Sequence, residues 1–319
     1  MNTIITDGLA FALPLFIMAI GGIYSERSGI TNLAVEGFQG FGAFVGALVV
    51  TLAAGVFPSG STGTMFAAML FSAVGGALFA VIHAILCVNF KANQVISGVV
   101  INILAMALTG FLTSQINGAV TGAFTDKFQL GACNRLTWAA LSEVPVLGGF
   151  FTNIYPFEFV ILLAALIAYY VLYKTPFGLR LRACGDNPHA VDAAGANVSK
   201  IRFLAVMISG GLCGIGGICF AYSISTCFSS SIYMGYGYLA IAALIFGNWK
   251  ILPTFGACLL FGFARSGGYK LVQILGLQSI FSDLIMTLPY VVTLLLLVFF
   301  SGNNRAPRAL GEIYDKGKR

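Results

Sequence analysis

The residues best able to do chemistry in this chain sit in two polar interruptions between apolar runs. The first spans Ser25 to Gly40 and holds Glu26, Arg27, Asn32, Glu36 and Gln39. Asn32 and Glu36 are four residues apart, so on a helix they share one face. Polar groups at membrane depth are costly and turn toward a cavity or toward each other. Asn32, Glu36 and Gln39 are therefore candidates to line a polar passage; the alternative is an ordinary turn, with Glu26 and Arg27 paired among lipid headgroups. Lys91 to Ala105 supplies Asn93 and Ser97, again i and i+4, with Asn102 deeper in an apolar helix. Asn93 is equally suited to cap a helix, and Asn102 to bond a neighbouring helix. The second interruption carries Phe228, Ser229 to Ser231, Tyr233, Tyr236 and Tyr238. Aromatic rings stack on planar ligands and hydroxyls bond them, which makes Phe228 and Ser230 further passage candidates. Tyr233 reads as part of an interfacial aromatic belt. His83 reads as a satisfied core histidine, and Asp283 as a helix cap.

This chemistry is recognition and passage rather than catalysis. No GxxxxGK[ST], HExxH or GxSxG occurs, and no His and Cys residues fall at metal-ligand spacing. The sequence predicts no catalytic residues, no metal and no cofactor of its own. The seven cysteines include no CxxC pair and read as small buried hydrophobes.

The elements that must position these residues are membrane spans. Of 319 residues, 58% are hydrophobic and 9% charged, far below the roughly 25% charge of soluble domains. Such a chain must face lipid, so the net charge of +6 is a matter of membrane orientation and predicts no nucleic-acid partner. Apolar runs at Gly8–Ile23, Gln39–Val56, Met65–Val88, Val95–Ile116, Tyr155–Tyr173, Ile201–Ser223, Tyr238–Gly247, Ile251–Ala264 and Ile280–Phe300 predict an all-α integral membrane protein of about nine transmembrane helices. Several runs are short of a full span, which predicts broken or tilted helices. The whole of 1–319 reads as a single transmembrane domain, with 301–319 as a tail and no cleavable leader ahead of the first run.

Between Lys174 and Arg202 lies a polar loop with five basic residues, Lys174, Arg180, Arg182, Lys200 and Arg202. Lys and Arg favour the cytoplasmic side. Placing this 174–202 loop there and alternating outward leaves only Lys127, Arg135, Arg265 and Lys270 outside. The N-terminus is then external and the C-terminus cytoplasmic. Each half of the chain begins with a helix followed by a polar break, and the two first helices run oppositely, the pattern of a weak inverted repeat. The longest outer connection, Asn117 to Asn153, is expected to cap the outer mouth or to lie at the lipid surface.

Three segments resemble one family. SERSGITNLAVEGFQGFGAFVGA is similar to the signature near the start of bacterial ABC-importer permeases for nucleosides. KANQVISGVVINILA resembles a second segment of that group, with Gln94 where Glu is usual, and KTPFGLRLRACGDNPHAVDAAGANVSKIR resembles its main loop. Related permeases serve simple sugars, branched-chain amino acids and riboflavin. The resemblance implies a multi-pass protein of the bacterial cytoplasmic membrane that forms half of a passage. Its partners would be a second, related permease, two cytoplasmic ABC ATPase subunits that bind ATP and magnesium, and an external substrate-binding lipoprotein. It also implies a coupling helix that docks on the ATPase, here Gly185, Asp186, Asn187, Pro188, His189, Ala190, Val191, Asp192, Ala193, Ala194 and Gly195. Local chemistry agrees: Asp186 or Asn187 can cap a helix, Pro188 suits its first turn and Gly195 can end it. A nucleoside is the expected ligand, with riboflavin or a simple sugar as alternatives. An ion-coupled transporter would want more membrane-buried carboxylates than Glu36 and Asp283.

Overall fold

The computed structural model describes residues 2–138, 147–276, 287, 290, 291, 295 and 305–316. Asp283, Glu143 and most of the Ile280–Phe300 run lie outside them. Among the described residues ten α-helices follow in order: α1 (Asn2–Arg27), α2 (Val35–Leu52), α3 (Thr62–Ala84), α4 (Gln94–Thr121), α5 (Pro156–Lys174), α6 (Pro176–Asp186), α7 (Pro188–Ala193), α8 (Val198–Phe220), α9 (Tyr236–Phe246) and α10 (Ile251–Leu275). Six helical stretches among the described residues are long and apolar enough to cross a bilayer: Thr3–Arg27, Val35–Leu52, Thr62–Asn89, Gln94–Thr121, Pro156–Lys174 and Val198–Ser225. The chain is thus a multi-pass, predominantly helical membrane protein.

Two expected segments take a different form. The run at Tyr238–Gly247 is a half-length helix, α9, with 11 residues or about 16 Å of rise. The run at Ile251–Ala264 does not stop at Ala264. It continues as the 25-residue α10, so Arg265 and Lys270 lie within a helix rather than in an outer connection. A charged residue interrupts an apolar run without breaking a helix, because arginine and lysine are good helix formers.

Helices α1, α2, α3 and α8 pack at backbone contact. A Cβ at Gly76 would run into the Gly210 carbonyl oxygen, and one at Gly214 into that of Ser72. Ser72 Oγ donates to Gly214 O at 2.6 Å across the same crossing. Helix α10 runs antiparallel to α1, with Gly262 against Gly8 and the ring of Phe255 4.9 Å from that of Phe16. Helix α9 runs alongside α1 but begins part-way down it. The Tyr236 ring lies 5.2 Å from Phe11, Leu244 meets Gly22 and Trp249 Nε1 donates to Glu26.

The Asn117–Asn153 connection enters the bundle. Strand β1 (Lys127–Gln129) pairs antiparallel with β2 (Cys227–Ser229). Phe128 and Phe228 are both buried and form a cluster with Phe44 at centroid distances of 5.8–6.4 Å. Asn117 Nδ2 holds this excursion by donating to the carbonyls of Thr125 and Lys127 at 2.9 Å each.

One end of the bundle, which carries the 174–202 loop and is called the loop end below, is laced by residues 305–316. Arg305 N donates to Asn248 Oδ1, Ala309 N to Gly185 O at 2.8 Å and Gly311 N to Gly29 O at 3.0 Å. Lys316 pairs with Asp192 at 3.8 Å and Lys91 with Asp315 at 3.0 Å. Exposed pairs like these add little stability. The buried Arg202 adds more, donating Nε to Ser28 O at 3.0 Å and Nη1 to Glu312 O at 2.9 Å; hydrogen bonds from a charged donor are the stronger kind.

Candidate functional site: the junction of the breaks and the loop-end elbow

The two interruptions meet inside the bundle. Glu36, on the first turn of α2, accepts from Gly235 N at 2.8 Å and from Gly237 N. These are N–H groups at the start of α9, which no helical carbonyl can satisfy and whose partial positive charge favours a carboxylate. Gln39 Nε2 donates to Ile232 O at 3.1 Å, while its Oε1 is buried without a partner among the described residues. Asn32 Nδ2 donates to Ser209 Oγ at 2.8 Å and its Oδ1 accepts from Ala34 N, which pins the first break to the middle of α8. Asn102 reaches in from α4. Its Oδ1 accepts from Gly37 N at 2.7 Å, and its Nδ2 donates to Leu33 O at 2.8 Å and Tyr238 Oη at 2.9 Å.

The structure thus brings Asn32, Glu36, Gln39 and Asn102 together, all buried, as a network that fixes two interrupted helices to their neighbours. The other sequence-derived candidates make their contacts outside this network. Ser97 Oγ is 2.8 Å from His83 Nδ1 in the core. Asn93 is exposed and caps α4, accepting from Val95 N and Ile96 N. Phe228 is fully buried in its aromatic cluster, and Ser230 is half-buried in a short 3₁₀ turn. Tyr233 does not lie in a lipid-facing belt. Its ring packs over Gly40 and its hydroxyl lies 3.1 Å from that of Thr109. Tyr238 belongs to the aromatic stretch of the second break but not to the passage candidates drawn from it, yet its hydroxyl is anchored by Asn102 while its ring is 46% exposed. It is the face this junction offers to the outside of the chain. An Asn eight residues into α4 and a Tyr in the second break were the available signal, and only the fold joins them.

At the loop end, α6 and α7 form an elbow. Thr175 caps α6 and Asn187 caps α7, with Asn187 Oδ1 accepting from Ala190 N at 3.0 Å, and Pro176 and Pro188 open their first turns. Of the two cap candidates, Asn187 starts α7 and Asp186 ends α6. Gly195 follows with φ +80, the left-handed turn-off that glycine favours. The run divides into two faces. Gly185, Pro188 and Val191 are buried, and a Cβ at Gly185 would meet the Arg27 carbonyl. Asp186, Asn187, His189, Ala190, Ala193, Ala194 and Gly195 are exposed, with Asp192 between the two. A cleft of about 500 Å³ lies between α6 and α7, lined by Leu179, Ala183, Ala190 and Ala194 among others. On α6, burial pushes the Cys184 thiol up to about 11. The small exposed side chains leave room for a close-packed partner.

Residues 4–300 match the family described as branched-chain amino acid transport system, permease component. The chain belongs to that family. It is 38% identical to the guanosine ABC transporter permease protein NupQ of Bacillus subtilis, over 100% of this chain and 98% of the relative. It is 39% identical to the nucleoside ABC transporter permease protein NupC of Lactococcus lactis subsp. cremoris, over 100% and 98%. No solved structure matches this permease.

Proposed function

We propose that this permease forms half of the passage of an ATP-driven importer of purine and pyrimidine nucleosides in a bacterial inner membrane. The observation that carries the ligand class is its full-length similarity, at 38–39% identity, to permeases named for guanosine and for nucleosides. The loop end faces the cytoplasm in this reading. Arg27, Lys91, the basic loop, Lys250, Arg305, Arg308 and Lys316 all gather on it, as the distribution of Lys and Arg in membrane proteins favours. The N-terminus is then external and the C-terminus internal.

The exposed face of the elbow, Asp186 to Gly195, docks on a cytoplasmic ATPase that binds ATP and magnesium. A second, related permease completes the passage, and an external lipoprotein delivers the solute. Substrate moves past the junction of the breaks, where Asn32, Glu36, Gln39, Asn93, Ser97, Asn102, Phe228 and Ser230 shape the pathway and Tyr238 presents its ring. The breaks belong to an inverted repeat: α1 and α8 run in opposite directions, and each precedes an interruption. Nucleotide-driven movement of the elbow is transmitted to Arg27 and the first break through Gly185, and switches which side is open.

The test is uptake of radiolabelled guanosine and uridine by cells that lack other nucleoside importers and carry this permease with its ATPase, second permease and binding protein. ATP-dependent accumulation of either nucleoside is expected. Accumulation of neither, or transport by this chain alone in liposomes on an ion gradient, overturns the reading.

A further inference from the structure

We propose that the cavity around Arg265 is a recognition subsite for the base of a 6-oxopurine nucleoside. The inference rests on the nucleoside reading above and names where the base is read. Arg265 stands in the interior of α10, at the level of Phe11 and Tyr236, about 15 Å short of the helix's end at Leu275. Arg265 is half-buried among apolar helices, where a cation is ordinarily paired. Here the described residues contain two ion pairs, Lys91–Asp315 and Lys316–Asp192, and neither involves Arg265. Its guanidinium lies instead over aromatic rings, 4.4 Å from the Phe11 centroid, 5.2 Å from Tyr269 and 6.0 Å from Tyr236, and within hydrogen-bonding reach of the Tyr236 side chain.

Beside it is a cavity of about 380 Å³ lined by Asp7, Phe11, Tyr155, Ser223, Arg265 and Tyr269. That volume falls within the range of small-molecule sites. Ser223 Oγ is buried there with no hydrogen-bond partner among the described residues. The hydroxyl of Tyr155 accepts from Arg135 Nη2 at 2.6 Å, which leaves its own O–H to donate. The cavity therefore offers a planar cationic fork, aromatic faces and polar groups that include the Asp7 carboxylate and the Ser223 and Ser266 hydroxyls.

Those three features select a ligand. A guanidinium fork donates two parallel N–H bonds to adjacent acceptors. On a nucleobase the matching pair is O6 and N7 of guanine or hypoxanthine. Adenine places an amino donor at position 6, which meets the fork with the wrong polarity; uracil has no two adjacent acceptors, and cytosine has them only at N3 and O2, beside its own amino donor. The rings of Phe11 and Tyr269 supply stacking surface for the flat base, and Ser223 supplies a donor or acceptor for a further edge. Arg265 bonded to the base exchanges a cation without an ion pair among the described residues for one with charge-assisted hydrogen bonds. An arginine whose function was only to pack against Phe11 would not distinguish one nucleobase from another.

The test uses the complete transporter in cells, with initial uptake rates of tritiated guanosine, adenosine and uridine normalised to permease in the membrane. Arg265→Lys keeps the charge and removes the fork. It is expected to raise the KM for guanosine by about tenfold or more while the KM for uridine and the membrane level stay as in the wild type. Arg265→Gln is expected to do the same, and Ser223→Ala to give a smaller rise for guanosine. If Arg265→Gln does not reach the membrane, the lysine variant carries the test. Unchanged guanosine KM in the lysine variant, or an equal loss for all three nucleosides, overturns the assignment and leaves Arg265 a packing residue. A wild-type complex that takes up no nucleoside overturns the reading beneath it, and the subsite with it.

Discussion

Replacing Glu36 separates two roles that its position suggests. The carboxylate accepts from Gly235 N and Gly237 N at the head of α9 and is nearly sealed from solvent, 4% exposed. Glu36→Leu removes both acceptors and leaves two buried N–H groups unpaired. Each costs about 1–3 kcal/mol, so the variant loses about 2–6 kcal/mol, a large share of the roughly 5–15 kcal/mol that holds a typical domain together. Glu36→Gln keeps one acceptor oxygen and forfeits the charge at the helix start, so its loss should be about half as large. Thermal aggregation of the detergent-solubilised permease, followed by size-exclusion chromatography, ranks the three proteins. The expected order of midpoints is wild type, then Gln, then Leu, with uptake falling in step. A Glu36→Leu protein as heat-resistant as wild type but unable to transport would refute the reasoning. It would mean that the carboxylate acts on the solute rather than on α9.

Three further outcomes follow from packing and exposure. Gly76→Leu forces a side chain onto the Gly210 carbonyl and should cost about 1–3 kcal/mol, seen as a lowered midpoint in the same assay; Gly267→Leu, where a Cβ meets nothing within 4 Å, should leave the midpoint unchanged. Ala190→Trp, on the exposed face of the elbow, should leave membrane insertion and heat resistance intact but abolish co-purification of the ATPase; retained co-purification would remove α7 from the docking surface. In a variant keeping Cys184 as its sole cysteine, the raised thiol pKa of about 11 leaves little thiolate at pH 8, because a higher pKa holds the proton to higher pH. Maleimide labelling should therefore be slow in the folded protein and rapid after unfolding in SDS, and fast labelling before unfolding would show that the elbow does not cover this site.

Much of this architecture is legible in the sequence because lipid imposes length and composition on a span. The runs beginning at Gly8, Gln39, Met65, Val95, Tyr155 and Ile201 each lie within or against one of the six long apolar helices. The elbow was legible for a different reason: Asn187, Pro188 and Gly195 act locally, and each sits where its own backbone chemistry requires. What the sequence concealed depends on distant partners. Gln39 and Ile232 are 193 residues apart, and no local pattern says that the two breaks touch. Lys127–Gln129 is too short for a strand period to register, and it becomes a strand only because Cys227–Ser229 lies beside it. Arg265 was placed outside because a charge ends an apolar run, although the aromatic rings of α1 and α10 give that charge a seat within the bundle.

The lacing of the loop end by residues 305–316 sets a schedule for biogenesis. Its anchor points on Gly29, Gly185, Arg202 and Asn248 leave the ribosome long before the segment that joins them. Until translation reaches Arg305 and beyond, the elbow hangs from a bundle whose base is still open. A late-made stitch of this kind delays the finished loop end until the helices it joins have been synthesised.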